Sequence, residues 1–184
     1  MQRQPNIQQP INDTSSSATA GHASTTVPTG CCAPFEPATW DNDEITWNEK
    51  VFVREHVHNL FHVPLDMGRQ VRKVMRLLEA WEPGADKHLV LYDERSAWGS
   101  DIYVEAASPV PGTNTVFLSG TFLTKVYEGP YREAPRWAAD MKAYAKAKGR
   151  SLKKIYFSYT TCPRCAKAYG KNYAILFGEV DPSS

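Results

Sequence analysis

The sequence is short of several features that would narrow its function at once. No apolar run approaches the ~20 residues of a membrane-spanning helix, and no basic-then-apolar start suggests a secretion signal. The expectation is a soluble cytoplasmic protein. An excess of one charge is missing too. Lys and Arg total 21 against 20 Asp and Glu, a formal net charge of +1, so no global field draws nucleic acid or an anionic membrane. Neither is expected as a partner. There is no glycine-rich phosphate loop, Walker sequence, G-x-S-x-G elbow or H-E-x-x-H, which removes support for kinase, nucleotidase, serine hydrolase and metalloprotease readings. No helix-turn-helix precedes the body of the chain, which argues against direct transcriptional regulation.

What remains is a chain of 184 residues, 42% hydrophobic, long and apolar enough to bury one sizeable core. Residues 1–30 are rich in Gln, Ser, Thr, Asn and Pro. Such a composition cannot offset its ordering entropy and reads as a disordered tail. Residues 31–50 introduce Phe35, Trp40 and Trp47 as apolar anchors and read as a docking arm, with a short hairpin around Asn48. Residues 51–180 read as the folded domain.

Within that domain the period of the apolar residues alternates between that of a strand and that of a helix. VFVREHVHNLF reads as a strand, LDMGRQVRKVMRLLEAW as a helix, and HLVLY and WGSDIYVEA as two further strands. After SPVPGTN the plan returns: TVFLSGTFLTKVY, the helix REAPRWAADMKAYAKAK, then KKIYFSY and NYAILFGEV. Aligning Pro64 with Pro130 brings Val71 onto Trp137 and Met75 onto Met141, and Trp98-Gly99-x-Asp101 matches Tyr169-Gly170-x-Asn172. The expected fold is α+β: two pseudo-symmetric strand-helix-strand-strand repeats, 51–107 and 115–180, forming one antiparallel sheet with both helices on one face. The other face would curve into a groove along the seam, where small-molecule sites occur.

The turn in VYEGPY before an amphipathic helix, together with strands ending in GSDIYV, resembles the GyrI-like family. That family has the effector-binding fold shared by gyrase-inhibitor-like proteins and multidrug-sensing regulators. With CCAPF, FLTKVYEGPY and TTCPRCAKAYGKNY the chain also looks like a cysteine-containing, hydrolase-like branch of it. The resemblance implies binding of an amphipathic, often cationic small molecule in the groove. Some relatives are implied to hydrolyse strained electrophiles such as cyclopropane-containing alkylators, a form of xenobiotic protection. The family's acidic residue in the last strand of the second repeat is matched here by Asn172, while the first repeat keeps Asp101.

Strand alternation sends Ile102 and Val104 to the helices, so Asp101, Tyr103 and Glu105 should face the groove, with Asn172 and Ala174 as second-repeat counterparts. Trp98 and Tyr169 could stack a flat ligand from two sides. Asp101 and Glu105 are the candidate general bases, since a carboxylate beside aromatics is partly desolvated. His62 and Glu128 occupy matching positions before the two helices and could face each other across the seam. His56 and His58 read as polar-face residues. Cys162-Pro163-Arg164-Cys165 has the spacing of two thiolates gripping one metal, and Cys31 with Cys32 would complete a structural zinc site, whose knuckle and arm would form the partner surface if the chain were instead a zinc-stabilised protein-interaction module. A redox dithiol or a nucleophilic thiol stays open, because Arg164 and Lys167 would favour a thiolate. Against it, the thioredoxin context is missing, since no βαβ pattern places the motif at a helix start. Inert thiols are the third possibility.

Overall fold

The computed structural model describes residues 32, 35–84, 88–94 and 96–182. The expected disordered tail and Cys31 lie outside the described residues. A single turn of 3-10 helix, Pro37–Thr39, leads into strand β1, Glu44–Leu60. β1 turns into the short β2, Val63–Pro64, and then come helix α1, Met67–Trp81, β3, Val90–Glu94, and β4, Gly99–Glu105. The chain continues through β5, Thr115–Glu128, α2, Ala134–Ala147, β6, Leu152–Tyr159, α3, Pro163–Tyr169, and β7, Tyr173–Val180.

Every strand pairing among the described residues is antiparallel, and the order is β2-β1-β4-β3-β6-β7-β5. The expected open sheet is corrected by one further pairing. β1 is 17 residues long and reaches β5 as well as β4. Six strands therefore close into a barrel, which removes the exposed edges that an open sheet would leave. The hairpin expected around Asn48 does not form. That stretch stays within β1 and carries a bulge between Trp47 and Lys50, with Glu49 at φ +50°. The bulge bends the strand, as closure requires.

Two clusters divide the core. Val53, Val57, Ile102, Val104, Leu123 and Leu176 face outward to the helices, where Val74 and Leu78 of α1 and Trp137, Met141 and Ala145 of α2 meet them. Phe52, Leu91, Tyr103, Phe122, Tyr156, Ile175 and Phe177 fill the barrel interior. Trp47 plugs it, its ring centroid 4.3 Å from that of Phe122 and 5.6 Å from that of Phe177. Trp40 closes on Phe177 from the same stretch of chain. The groove expected to take a ligand is thus occupied by the protein's own aromatic rings.

The ladders of the two halves repeat in register. Phe52 faces Glu105, Arg54 faces Tyr103 and His56 faces Asp101 across β1 and β4. Phe122 faces Glu179, Thr124 faces Phe177 and Val126 faces Ile175 across β5 and β7. The elements do not repeat completely, since β2 and α3 have no counterparts among the described residues. The register also corrects the sequence alignment. Asp101 corresponds to Ile175, not Asn172, which precedes β7. Ala174 points to the helices. An odd-numbered slip in a strand exchanges its two faces, and the aromatic-glycine match carried such a slip.

Candidate active site

Along β1, Val53 and Val57 face the helices, so Phe52, Arg54 and His56 lie on the opposite face, beside Asp101 and Tyr103 of β4. Phe52 and Tyr103 are inside the barrel. Arg54, His56 and Asp101 stand beyond it, because β5 starts opposite Val53. They line an open cleft of about 380 Å³ with Ser96, Gly99 and Asn114.

Asp101 is the fixed point of this cleft. Its side chain is 2% exposed. Oδ2 accepts from Arg54, at 3.0 Å from Nε and 2.6 Å from Nη2. Oδ1 lies 3.2 Å from His56 Nδ1. A buried carboxylate needs such partners to stay ionised. A carboxylate only accepts, so Nδ1 of a neutral His56 carries the hydrogen and Nε2 keeps its lone pair. The imidazole is 56% exposed and open to the cleft. Gly99, directly across the ladder from His58, makes room for it. A Cβ there would lie 2.8 Å from His56 Cε1 and 3.2 Å from Nε2. The ring can lie in this position only over a glycine.

A second ion pair sits beside the first. Asp93 is the cross-strand neighbour of Asp101, is buried, and meets Lys154 Nζ at 2.6 Å. Lys154 also lies 4.5 Å from the Tyr156 ring centroid and 5.9 Å from that of Tyr103. Burial raises the Tyr103 phenol above its ordinary range, against the pull of Lys154. Burial, reinforced by Glu179 and Asp93, raises Tyr156 as well. Both phenols are therefore protonated at neutral pH and present a neutral wall behind the charges.

The structure gathers some of the candidate residues and separates others. Asp101 and Tyr103 share the interior face of β4. Glu105 lies at the other end of that face, where it pairs with Lys50 and accepts the Leu89 N–H at 3.2 Å. Trp98 is exposed and packs on Phe61, with ring centroids 5.0 Å apart. Tyr169 ends α3, and its hydroxyl donates to the Cys32 carbonyl. Asn172 accepts from Thr161 Oγ1 and donates to the Gly129 carbonyl, each at 2.8 Å, tying the cysteine loop to the turn before α2. His62 pairs with Glu94 rather than Glu128. Sequence reasoning did not single out Arg54, Asp93 or Lys154, and read His56 as a polar-face residue with no part in the site. The signal was present in β1: Val53 and Val57 fix the helix side, which puts Arg54 and His56 together on the other.

The cysteines form a separate centre. The sulfurs of Cys32, Cys162 and Cys165 all lie within 4.8 Å of one another. Tetrahedral bonds of about 2.3 Å to one ion would hold sulfurs about 3.8 Å apart, so the three side chains are placed to chelate a metal. The Cys162 N–H points to Cys32 Sγ at 3.4 Å, and Cys165 is buried. Cys162 is the N-cap of α3 and Pro163 its first residue. The CPRC motif does start a helix, which the sequence did not show, but β6 and β7 on either side of α3 pair antiparallel, so the βαβ context of a thioredoxin-like motif is still missing. Beside the cluster, burial raises the Tyr131 phenol, whose hydroxyl donates to the Thr161 carbonyl at 2.6 Å.

Residues 22–180 match the family model described as Bacterial hydrolase. The chain belongs to that family. No curated protein matches it in sequence. Among solved structures, a hydrolase from Listeria innocua superposes with a TM-score of 0.56 at 14% identity, covering 77% of this chain and 93% of that one. A further Listeria innocua structure, of an uncharacterized conserved protein, gives a TM-score of 0.57 at 14% identity, covering 76% and 91%. At such identity the likeness shows the fold alone.

Proposed function

We propose that this protein hydrolyses an electrophilic small molecule in the cleft at the barrel rim, with His56 as general base. The observation that carries this reading is the Asp101 carboxylate, buried and shared between Arg54 and His56. Asp101 holds the Nδ1–H of the imidazole and steadies the positive charge that forms when Nε2 takes a proton from water. Arg54 keeps Asp101 ionised and in place. Water activated at Nε2 then attacks the electrophilic carbon, and the protonated His56 returns the proton to the leaving oxygen or carbon.

Membership of a hydrolase family supports this over simple ligand capture, as does an interior packed with Phe52, Phe122, Phe177 and Trp47. An amphipathic substrate is left the cleft rather than the barrel. Kinship with GyrI-like domains is supported by the ladders that recur in register. Strained electrophiles such as cyclopropanes and activated esters are the substrates to try. His56→Gln, which keeps a hydrogen bond but cannot take the proton, should lower turnover by roughly 10²–10⁴-fold. Turnover at the wild-type rate in that variant would refute the assignment.

We further infer that Cys32, Cys162 and Cys165 bind zinc in a structural site. Three sulfur donors around one point suit that ion, and Cys31, adjacent in sequence, is the natural fourth ligand. The site would clamp the segment before β1 to α3 and supply no catalytic step.

A further inference from the structure

The β1–β2 hairpin carries Leu60, Phe61, Val63 and Leu65 into solvent, each between 47 and 69% exposed. Trp98 joins them, 60% exposed and packed on Phe61. Two backbone hydrogen bonds, Asn59 N–H to the Trp98 carbonyl and His62 N–H to the Ala97 carbonyl, fasten the Trp98 loop to the hairpin. Phe61 and His62 form the turn in left-handed conformation, at φ +46° and +69°. Asn-Gly is the pair suited to such a turn. A bulky aromatic held there is strained, and strain of this kind collects at functional positions.

A basic stripe adjoins the tip. Arg69, Arg72, Lys73 and Arg76 recur at helical spacing on the exposed side of α1, opposite the buried Val74 and Leu78. Lys73 is engaged by Glu55 at 2.7 Å. Arg69 has only a 3.8 Å approach to Asp66 and keeps 76% of its side chain exposed. Asp66 also accepts the His58 N–H at 2.9 Å, which holds the start of α1, and so Arg69, close to the hairpin.

We propose that the β1–β2 hairpin docks on an anionic membrane surface. Phe61, Val63, Leu65 and Trp98 enter the boundary between headgroups and acyl chains, and Arg69, Arg72 and Arg76 bind lipid phosphates. A balanced total charge hides this local stripe. Charge also decides against a second copy as the occupant. An isologous contact around a two-residue turn would set the arginines of one protomer against those of the other. No helix of the described chain is long and apolar enough to cross a membrane, and docking needs none. The docking stands independently of the hydrolase reading. If both hold, His56 lies four residues up β1 from Leu60, roughly 13 Å from the tip at strand rise, within reach of substrates dissolved in lipid.

The test is co-sedimentation of the full chain with vesicles of phosphatidylcholine, with and without phosphatidylglycerol. Wild type should bind the anionic vesicles, and salt should release it. Phe61→Asn with His62→Gly installs the turn's preferred pair, so folding is kept while binding falls at least about tenfold. Arg69→Gln with Arg72→Gln should weaken binding by about fivefold per charge. Absence of wild-type binding to anionic vesicles would overturn the proposal, as would unchanged binding in both variants. A dimer in sedimentation analysis that Phe61→Asn/His62→Gly dissolves would also overturn it, since a second copy would then cover the tip.

Discussion

Asp101 and Ile175 occupy the same place in two matching ladders: Asp101 faces His56 across β1 and β4, and Ile175 faces Val126 across β5 and β7. Arg54 stands where the other half has Thr124, and Asp93 where it has Ser158. Arg54, His56, Asp101 and Asp93 therefore belong to one half of the barrel, and only Lys154, the partner of Asp93, comes from the other. The other half shows that the backbone closes without them.

Replacing the first set with the second separates function from folding. The triple variant Arg54→Thr, His56→Val, Asp101→Ile should fold with stability within about 2 kcal/mol of wild type, because exchanging a whole buried ion pair for apolar groups is often neutral or better. It should have no hydrolytic activity. Asp101→Ile alone should cost roughly 3 kcal/mol or somewhat less, since it strands Arg54, though a third of that side chain stays in water to soften the loss. Chemical denaturation of both variants decides. A triple variant less stable than the single one would mean that the network holds the fold together.

Gly99→Ala tests the seat of His56. The added Cβ would press on the imidazole edge at 2.8 Å. Gly99 is itself buried, but the ring that the new Cβ meets is exposed and can swing away, so the stability loss should stay at about 1 kcal/mol. The swing breaks the contact to Asp101, so turnover should fall by about the same roughly 10²–10⁴-fold as in His56→Gln. Thermal melting and rate are measured on the same sample. A rate at the wild-type level would show that ring position is irrelevant to the chemistry.

Much of the fold was legible because the relevant signals are local. Val71, Val74, Met75 and Leu78 announce α1, and alternation in Ile102–Tyr103–Val104 correctly divides helix side from interior. Closure of the barrel was not legible, since it depends on β1 reaching two partners, and strand length does not show from one face's pattern. The site suffered from the same limit. Glycine-centred motif matching paired Asp101 with Asn172, whereas hydrogen-bond register pairs it with Ile175. The two answers differ by an odd number of residues, and Asn172 lies outside β7 altogether. The seven-residue α3 was hidden because Pro163 reads as a loop residue, although it is well suited to the first position of a helix.

Asp66 should shape the acid limb of the stability curve. Burial pulls its carboxyl upward, but hydrogen bonds from Gln70 and from the His58 backbone and ring outweigh this and hold it at about 2, below the ordinary 3.8. The native state thus favours the carboxylate. Its contribution is complete above pH 3.8 and is lost as pH falls through about 2. Asp66→Asn should lower stability at neutral pH and flatten the fall between pH 4 and 2, as followed by urea midpoints across that range. An acid limb as steep as that of wild type would assign it to other carboxylates.

The cysteine centre gives the last expected outcome. Protein purified under reducing conditions should hold about one equivalent of zinc, because a structural site retains its ion. Cys165→Ser removes the buried sulfur of the cluster and should release the metal and loosen the segment around Cys32, Phe35 and Trp40 from the barrel. The aromatic contacts of Phe35 with Tyr173 and Trp40 with Phe177 give that loosening a readout, as faster amide exchange around Phe177 and a drop in melting temperature. Chelation of wild type should produce the same changes. Metal content, counted against protein, separates the zinc site from the redox and inert-thiol readings. A preparation without metal, whose Cys162 and Cys165 cycle between dithiol and disulfide, would replace the zinc site with a redox pair at the start of α3. Such a pair would leave the barrel-rim cleft and its His56 untouched, since the arm, not the cleft, is what the three sulfurs hold.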